Sequence, residues 1–342
     1  MKGINKKLIW QIPFLVLLIV GTVLIIMQQQ NMPYKTTTAP IFGTYYHITY
    51  QSDKDMQNEI TDALNRVDAS LSPFNPNSII TKVNNNEDVM VDKLFADVFR
   101  IAQQVSKETQ GAFDITVAPL VNLWGFGFKQ EKEPSANAID SILQFVGYEK
   151  VKLGGNDKVT KTDKRIQLDC SAVAKGYASD VVAAVLRQHD ISNYMVEIGG
   201  EIVTKGVNES RLPWKIGVNK PSDDPMQQSQ ELQTILNVTD KAMATSGNYR
   251  NFYYRDGKKV AHTIDPKSGR PVQHSLLSAT VLAPNCATAD AYATSFMVMG
   301  MEKAKDVLSK HSELMAYFIF AGQDGNYEVW YSPSLRDKIV DN

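Results

Sequence analysis

Apolar residues recur along this chain with two different periods, and these periods predict where helices and strands lie. An alternating, strand-like stretch at 41–50 is followed by two runs of helical spacing, the second of which Gly111 brings to an end. The helical positions are Ile60, Leu64, Val67 and Leu71 in the first run, and Leu94, Val98, Ile101 and Val105 in the second. A strand followed by two amphipathic helices is therefore predicted for this part of the chain.

Helices and strands continue downstream without a regular βα repeat. Helices are predicted at 137–147, 177–188 and 287–309, and strands near 150–153, 165–169, 193–206, 214–220 and 233–239. Asp–Gly pairs at 256–257 and 324–325 each lie between strand-like arms, which is a strong local signal for a hairpin. This order predicts an α+β fold with mixed, largely antiparallel sheets flanked by helices.

The first forty residues differ from the rest, because lysines in 1–7 precede an uncharged apolar run at 8–27. At about 1.5 Å per residue, a helix of that length crosses the roughly 30 Å core of a bilayer. The positive segment should stay in the cytoplasm, which predicts a single-pass membrane protein whose main domain is extracytoplasmic. A cleaved signal peptide is the alternative. The polar stretch 28–40 is predicted to be a linker, which leaves 41–342 as one large domain.

Composition and charge narrow the classes of function. The chain has 342 residues, a formal charge of −1 and no long basic block, which argues against nucleic-acid binding. Cys170 and Cys286 are the only cysteines, which excludes a disulfide framework and a cysteine-rich metal site but leaves one bridge between them open. The familiar nucleotide loops G-x-x-x-x-G-K-[ST] and G-x-G-x-x-G are absent from the sequence, so any nucleotide site must be built from other residues.

A predicted helix at 287–300 places two oxygen ligands on one face. Asp290 and Thr294 lie four residues apart, so their side chains project in the same direction. Mg²⁺ prefers oxygen ligands and usually takes one or two carboxylates, with water and substrate phosphate completing its coordination. The pair therefore predicts a Mg²⁺ site that a phosphate completes. The structural alternative is that Asp290 caps the helix and Thr294 packs in the core.

A second stretch, 168–180, runs from the end of a predicted strand into a helix. Asp169 closes the strand, Gly176 lets the backbone come close to a ligand, and Lys175 offers a cation to an anionic group. These residues predict an anion-binding site. A solvated lysine near a helix start is the structural alternative.

His262 and an aromatic segment are further candidates. His262 stands on a predicted strand that turns at Pro266, and its ordinary pKa near neutrality suits proton transfer. The segment at 112–128 combines Asp114 with aromatic residues that suit a flat heteroaromatic ring. The aromatic residues are Phe113, Trp124, Phe126 and Phe128. The structural alternatives are an ordinary strand histidine and an aromatic core.

Taken together and in this order, eight segments of the chain resemble the ApbE family, the FAD:protein FMN transferases. The segments are FGTYYHITY, SPFNPNSIITKVN, GAFDITVAPLVNLWGFG, LDCSAVAKGYASD, VEIGGEI, ATSGNYRNFY, HTIDPKSGRPV and ATADAYATSFMVMG. They span about residues 41 to 300, and eight of them in register make the resemblance specific. It implies an extracytoplasmic enzyme that cleaves the FAD pyrophosphate with Mg²⁺. The same resemblance implies that FMN is joined by a phosphoester bond to a Thr or Ser of a target flavoprotein, with release of AMP.

The resemblance also implies a set of site residues, position by position. Mg²⁺ would be held by the main-chain carbonyl of Ala172 and by the side chains of Asp290 and Thr294. The FAD contacts fall on Phe42, Phe74, Ala112, Phe113, Asp114, Asp169, Lys175 and Ile264. The predicted catalytic residues are His262, which would assist proton transfer, and Lys175, which would neutralise the pyrophosphate.

The chain departs from the family pattern at several of these positions. Members often have methionine where Phe42 stands and Tyr or Trp where Phe74 stands, so the ring contacts are expected to be rearranged. The carbonyl of Ala172 is kept as a ligand although DCSAVAKG replaces the commoner DLGGIAKG. Ala293 stands where some members carry a second aspartate, so phosphate and water are expected to supply more of the coordination.

Two other functions would use the same residues. An FAD pyrophosphatase would release free FMN and AMP, because water replaces the protein hydroxyl at the same site. A non-catalytic extracytoplasmic flavin-binding protein would keep the aromatic pocket, and the metal site would be incidental.

Overall fold

Helices and strands are interspersed through most of the chain. The computed structural model describes residues 6–126, 134–221, 231–248, 252–255, 258–322 and 326–340, with side chains except at 6–10, 24–30, 252–255 and 258–261. Its helices are α1 (Lys6–Gln30), α2 (Gln57–Leu71), α3 (Ile79–Asn84), α4 (Lys93–Glu108), α5 (Ala118–Leu123), α6 (Ala136–Leu143), α7 (Ser171–Gln188), α8 (Cys286–Met299) and α9 (Met301–Leu308). Its strands are β1 (Tyr34–Ile41), β2 (Thr44–Gln51), β3 (Val151–Leu153), β4 (Val159–Lys161), β5 (Tyr194–Ile198), β6 (Glu201–Lys205), β7 (Lys215–Asn219), β8 (Leu232–Asn237), β9 (Ala242–Gly247), β10 (Phe252–Arg255), β11 (Lys258–Ala261), β12 (Ile264–Asp265), β13 (Arg270–Pro271), β14 (Leu276–Ala283), β15 (Met315–Ala321), β16 (Tyr327–Tyr331) and β17 (Ile339–Val340).

An eight-stranded sheet forms the centre of the described fold, in the order β1-β2-β5-β6-β9-β14-β15-β16. Each neighbouring pair in it is antiparallel. A three-stranded sheet, β17-β8-β7, and several two-stranded ribbons accompany it, and their pairings are antiparallel as well. The prediction of an α+β fold is confirmed, and the described sheets are antiparallel rather than mixed.

Helices α7 and α8 pack against each other and against the central sheet, α7 on β5 and β6 and α8 on β9 and β14. Small side chains allow this close approach, because α8 buries four alanines completely. They are Ala287, Ala289, Ala291 and Ala293. Near the other end of α8, the fully buried Phe296 contacts Phe318 of β15 edge to face, with ring centroids 5.7 Å apart. Burying such a side chain contributes about 1.5–3 kcal/mol, so α8 is held firmly on the sheet.

The two amphipathic helices predicted near the start are present as α2 and α4. Their predicted apolar positions face the main core, with Ile60, Leu64, Val67, Leu71, Val98 and Val105 at most 2% exposed. Helix α4 begins after Asp92, whose carboxylate accepts a hydrogen bond from the Phe95 N–H at 2.8 Å. It ends shortly before Gly111, whose φ of +82° is in the left-handed region that favours glycine.

The predicted linker at 28–40 is wrong for its second half. Residues Tyr34–Ile41 form β1, which pairs with β2 along its whole length, from Tyr34 opposite Gln51 to Ile41 opposite Thr44. The polarity of the threonines at 36–38 indicated a linker, but these residues are also β-branched, which favours a strand. Pro40 is tolerated because β1 lies at the edge of the sheet, where a missing N–H donor costs little.

The predicted membrane anchor at 8–27 lies within α1, part of whose side chains fall outside the described residues. No helix in the described part of the chain is both long enough and apolar enough to cross a membrane. The structure therefore gives no support to the predicted transmembrane helix.

The two cysteines are buried and carry free thiols. The bridge that the sequence left open is therefore not formed. Burial raises the pKa of both thiols, with nearby carboxylates adding to the effect. Cys170, just before α7, and Cys286, the first residue of α8, thus behave as small apolar residues at the ends of these helices.

Candidate functional site

The crossing of α7 and α8 brings together the residues predicted to bind metal and phosphate. The N–H of Gly176 on α7 donates to Oδ2 of Asp290 on α8 at 3.1 Å. One turn further along α7, Asp180 accepts from the N–H groups of Cys286 and Ala287, one turn earlier on α8. Residue numbers rise along one helix as they fall along the other, so the two helices are antiparallel where they cross.

Gly176 is required at this crossing because there is no room for a side chain. A Cβ at that position would lie 2.4 Å from the Cys286 carbonyl oxygen and 2.9 Å from Cβ of Asp290. The sequence predicted that Gly176 lets the backbone come close to a ligand, whereas in the structure the group that comes close is helix α8.

The three predicted metal ligands lie towards one end of the crossing. Ala172 is one turn before Gly176 on α7, and Thr294 is one turn after Asp290 on α8, so the antiparallel arrangement places both towards the same end. In a helix the N–H of residue 176 is also the ordinary donor to the carbonyl of residue 172. The carboxylate of Asp290 and the carbonyl of Ala172 therefore both lie next to the N–H of Gly176.

The chemistry of these donors suits a hard divalent cation. Asp290 is only 6% exposed, and burial raises the pKa of its carboxyl group, while Lys175 and the Gly176 N–H act in the opposite direction. A carboxylate buried in this way is stabilised by a nearby positive charge. A carboxylate, a carbonyl and a hydroxyl are oxygen ligands of the kind that Mg²⁺ prefers. Among the described residues, no three His, Cys, Asp or Glu side chains gather into a metal-binding cluster, and the predicted site contains a single carboxylate.

Lys175 forms an ion pair with Glu201, a residue that the sequence prediction missed. Lys175 Nζ lies 2.6 Å from Glu201 Oε1, with the glutamate side chain 4% exposed and the lysine side chain 35% exposed. The Ser179 hydroxyl donates to the Glu201 carbonyl at 2.9 Å, which ties β6 to α7. Lys175 is therefore not merely solvated: a buried carboxylate holds its ammonium group near Asp290, and solvent still reaches it.

Phe42 lies in the hairpin turn between β1 and β2. Phe42 and Gly43 have φ values of +49° and +72°, as a two-residue hairpin turn requires. At the neighbouring turn, a Cβ on Gly199 would lie 2.9 Å from Cγ2 of Thr44 and 3.4 Å from Oε2 of Glu201. The start of β2, directly after the Phe42 turn, thus lies close to Gly199, two residues before Glu201.

Asp114 is part of the predicted flavin segment, yet its carboxylate is used within the protein. Oδ1 accepts hydrogen bonds from the N–H and hydroxyl of Thr116 at 2.8 and 2.7 Å, and Oδ2 accepts from the Tyr148 N–H at 2.8 Å. Burial raises the pKa of Asp114, and these hydrogen bonds offset part of the rise. Its neighbours Ala112 and Phe113 are 8% and 2% exposed. The segment is therefore buried and hydrogen-bonded within the protein.

Asp169 connects that segment to the start of α7. Its N–H donates to the Ile115 carbonyl at 2.7 Å, and its Oδ1 accepts from the Ser171 N–H at 2.8 Å. Asp169 is partly buried. The predicted flavin residues around Asp114 and the predicted metal ligand Ala172 thus belong to one connected region.

His262 and Ile264 belong to the turn at 262–272, which lies beside α8 and the aromatic segment. The His262 ring lies 6.3 Å from the Phe126 ring, edge to face, and β12 contacts α8. Ile264 is 5% exposed and packs in a small core with Trp124, whose indole N–H donates to the Gly269 carbonyl at 2.7 Å. Part of the predicted aromatic cluster is thus ordinary core, and Phe128 lies outside the described residues.

Known proteins resemble this chain along most of its length. The model of the ApbE family matches residues 42–318. The FAD:protein FMN transferase of Haemophilus influenzae is 37% identical, over 83% of this chain and 85% of the relative. The protein of the same name from Vibrio cholerae is also 37% identical, over 87% and 91%. The chain belongs to the ApbE family.

Solved structures of ApbE proteins share the fold. The flavin transferase ApbE from Vibrio cholerae superposes with a TM-score of 0.80 at 34% identity, covering 90% of this chain and 99% of that chain. The apo form of the Pseudomonas stutzeri flavinyl transferase ApbE also gives a TM-score of 0.80, at 28% identity. The family resemblance stated from the sequence is therefore confirmed, and every predicted site residue lies within the matched range.

Not every predicted site residue of this ApbE chain lies at the crossing of α7 and α8. Phe74 is 87% exposed, on the loop between α2 and α3, so its contact with flavin stays a prediction. Conversely, Glu201 and Asp180 were missed although each left a signal in the sequence. Glu201 directly follows a Gly–Gly pair at the start of a strand, and Asp180 lies five residues after Lys175 and four after Gly176 on one helix.

Proposed function

We propose that this ApbE chain is a transferase that moves FMN from FAD to a hydroxyl group of a target flavoprotein. The single observation that carries the proposal is the buried carboxylate of Asp290, held by Gly176 and close to the ammonium group of Lys175. Relatives that match most of this chain are FAD:protein FMN transferases. The ammonium group of Lys175 and a cation bound by Asp290 would both attract the negative charge of a pyrophosphate, so the pair suits a substrate with a pyrophosphate bridge.

The reaction requires one bond to form and one to break. The oxygen of a Thr or Ser hydroxyl on the acceptor attacks the phosphorus of the FMN half of FAD. The bond from that phosphorus to the oxygen bridging to the AMP half breaks, and AMP leaves with the electron pair. The proton of the hydroxyl must be removed as the new phosphoester forms, and His262 is the residue we assign to assist this transfer.

Lys175 supplies positive charge during this exchange. An ammonium group has three donor hydrogens, so it can keep its bond to Glu201 while it donates to a phosphate oxygen. Its partial exposure leaves it reachable by a substrate. The negative charge that develops as AMP departs is then stabilised by a group already in place, which costs no reorganisation at the moment of reaction.

Mg²⁺ is part of the proposal, with Ala172, Asp290 and Thr294 as the residues that would hold it. When bound, the ion would neutralise the pyrophosphate and so ease attack by an oxygen nucleophile. Support comes from the oxygen chemistry of the three groups and from their common position on two antiparallel helices.

We also propose that the catalytic domain works outside the cytoplasm. The support is the uncharged apolar run at 8–27 behind a lysine-rich start, which favours export whether or not the segment is later removed. Fusing a periplasm-dependent reporter such as alkaline phosphatase after residue 342 tests this location. An active reporter is expected, and a full-length fusion protein whose reporter is inactive would contradict it.

The activity is tested by incubating the purified protein with FAD, Mg²⁺ and candidate flavoprotein acceptors, followed by a denaturing gel and nucleotide analysis. We expect flavin fluorescence on an acceptor band together with one AMP for each flavin attached. AMP and free FMN without a labelled acceptor would instead identify an FAD pyrophosphatase. FAD binding without AMP would identify a flavin-binding protein. Replacing the acceptor Thr or Ser by Ala should remove the label and is the control for its attachment site.

A further inference from the structure

Asp180 holds the start of α8 from the neighbouring helix. Its Oδ1 accepts the Cys286 N–H at 2.8 Å and its Oδ2 accepts the Ala287 N–H, also at 2.8 Å. These are two of the first N–H groups of α8, which have no partner within their own helix. Hydrogen bonds from N–H groups to a carboxylate are among the stronger kinds, and the helix dipole favours a negative charge at this end.

The start of α8 already has an ordinary cap of its own. The side chain of Asn285 accepts a hydrogen bond from the Thr288 N–H at 2.9 Å, as N-cap residues do. Asp180 is therefore not needed to begin the helix. What it adds is a link between α8 and α7.

Together, Asp180 and Gly176 fix the two helices at two points that are one turn apart on each helix. At one point α7 donates an N–H to the Asp290 carboxylate, and at the other α8 donates two N–H groups to the Asp180 carboxylate. Between them, the Cys286 carbonyl lies against Gly176, where even a Cβ would come within 2.4 Å. A helix fixed at two points cannot rotate about a single contact, so the direction of the Asp290 side chain is set.

We propose that Asp180 is a positioning residue for the metal site: by anchoring the first turn of α8 to α7, it sets the distance between the Asp290 carboxylate and the Ala172 carbonyl. The inference rests on the proposed function, since it assigns the cation to those two groups. Asp180 itself lies a turn beyond the site, at a surface cleft of ≈ 440 Å³ that it shares with Asn285 and Arg187, and its carboxylate accepts the N–H groups of Cys286 and Ala287. A metal site depends on such supporting residues, and their loss typically weakens metal affinity by about 10- to 100-fold.

The test is calorimetric titration of Mg²⁺ alone into the full chain and two variants, with no flavin present. Asp180→Asn keeps the shape of the side chain but replaces one of its two acceptor oxygens by a donor group. Asn285→Ala is the matched control, because it removes a hydrogen bond at the same helix end without touching α7. Circular dichroism establishes that each variant is folded. If Asp180→Asn does not fold, Asp180→Glu takes its place, because it keeps the charge and displaces both oxygens by one carbon–carbon bond.

We expect the dissociation constant for Mg²⁺ to rise by about tenfold or more in the Asp180 variant and to change by less than about threefold in Asn285→Ala. High Mg²⁺ should then restore most of the FMN transfer of the Asp180 variant, since its ligands are intact. Unchanged Mg²⁺ affinity in the Asp180 variant, or an equal loss in Asn285→Ala, overturns the inference and leaves the proposed function standing. Failure of the wild-type chain to bind Mg²⁺ alone overturns the inference, which requires a site that the chain forms by itself, whereas only FMN transfer that is independent of Mg²⁺ contradicts the metal part of the proposed function.

Discussion

At the scale of single residues, the crossing of α7 and α8 depends on one glycine. Gly176 has no side chain to separate its backbone from the Cys286 carbonyl, and its N–H is available to Asp290. Any larger residue must push the helices apart or distort one of them. The interior is too closely packed to absorb such a change without cost.

Gly176→Ala is expected to lower the free energy of unfolding by about 1–3 kcal/mol and to reduce FMN transfer more than tenfold, because overpacking displaces Asp290. Gly155→Ala is the matched control, since a Cβ at Gly155 meets nothing within 4 Å and should change neither quantity. Chemical denaturation and a transfer assay measure the two effects. A Gly176→Ala variant that is as stable and as active as the control would show that the close approach is unimportant.

Individual residues could be predicted where chemistry and spacing coincide on one segment. Helical spacing alone puts Asp290 and Thr294 on one face, and the structure confirms the helix, while their role as metal ligands stays a prediction. The partner of Lys175 could not be found in that way, because Glu201 is on a strand 26 residues away and meets the lysine only after the fold has formed. Asp114 is the opposite case. It was predicted to contact flavin, but its carboxylate accepts hydrogen bonds from the N–H groups of Thr116 and Tyr148 within the protein.

At the scale of elements, the link between α7 and α8 gives a pH dependence. Burial raises the pKa of Asp180 from 3.8 to about 6, with the charge of Asp290 adding to this, while the Cys286 and Ala287 N–H groups and Arg187 act in the opposite direction. The folded state therefore binds a proton at Asp180 more tightly than the unfolded chain does. The stability that this proton contributes is fully present below about pH 4 and is lost as the pH rises through about 6.

Relative to Asp180→Asn, the wild-type protein should thus lose up to about 3 kcal/mol of unfolding free energy between pH 4 and pH 7. Denaturant titrations of both proteins at several pH values, without added Mg²⁺, measure this difference. The comparison with Asp180→Asn removes the contribution of every other titrating group that the two proteins share. A difference that stays constant, or that changes in favour of the wild type as the pH rises, would contradict the assigned pKa.

Elements were predictable where local periodicity decides the structure. Helices α2, α4, α7 and α8 follow from the spacing of apolar residues, and the antiparallel pairs β10–β11 and β15–β16 from the Asp–Gly pairs between them. The edge strand β1 was mistaken for a linker because its threonines are polar and three of its eight residues are exposed, so its stability comes from pairing with β2. Such pairing is a non-local interaction that periodicity does not reveal.

At the scale of the whole molecule, the order of strands in the central sheet is what gathers the site. Strand β6, which carries Glu201, lies between β5 and β9, and α7 packs on β5 and β6 while α8 packs on β9 and β14. The two helices therefore meet above neighbouring strands that are distant in sequence. This order could not be predicted from the sequence, because each pairing depends on contacts across the whole fold, and only the resemblance to the ApbE family anticipated which residues would meet.

The central claim is that Asp290 holds a divalent cation that FMN transfer requires. The most direct measurement compares Mg²⁺-dependent flavin attachment and AMP release by the wild type, by Asp290→Ala and by Asp306→Ala, which removes an exposed aspartate on α9. We expect Asp290→Ala to remain folded and to lose transfer and AMP release at every Mg²⁺ concentration, while Asp306→Ala behaves as the wild type. Flavin attachment by Asp290→Ala that persists with Mg²⁺ chelated would contradict the claim.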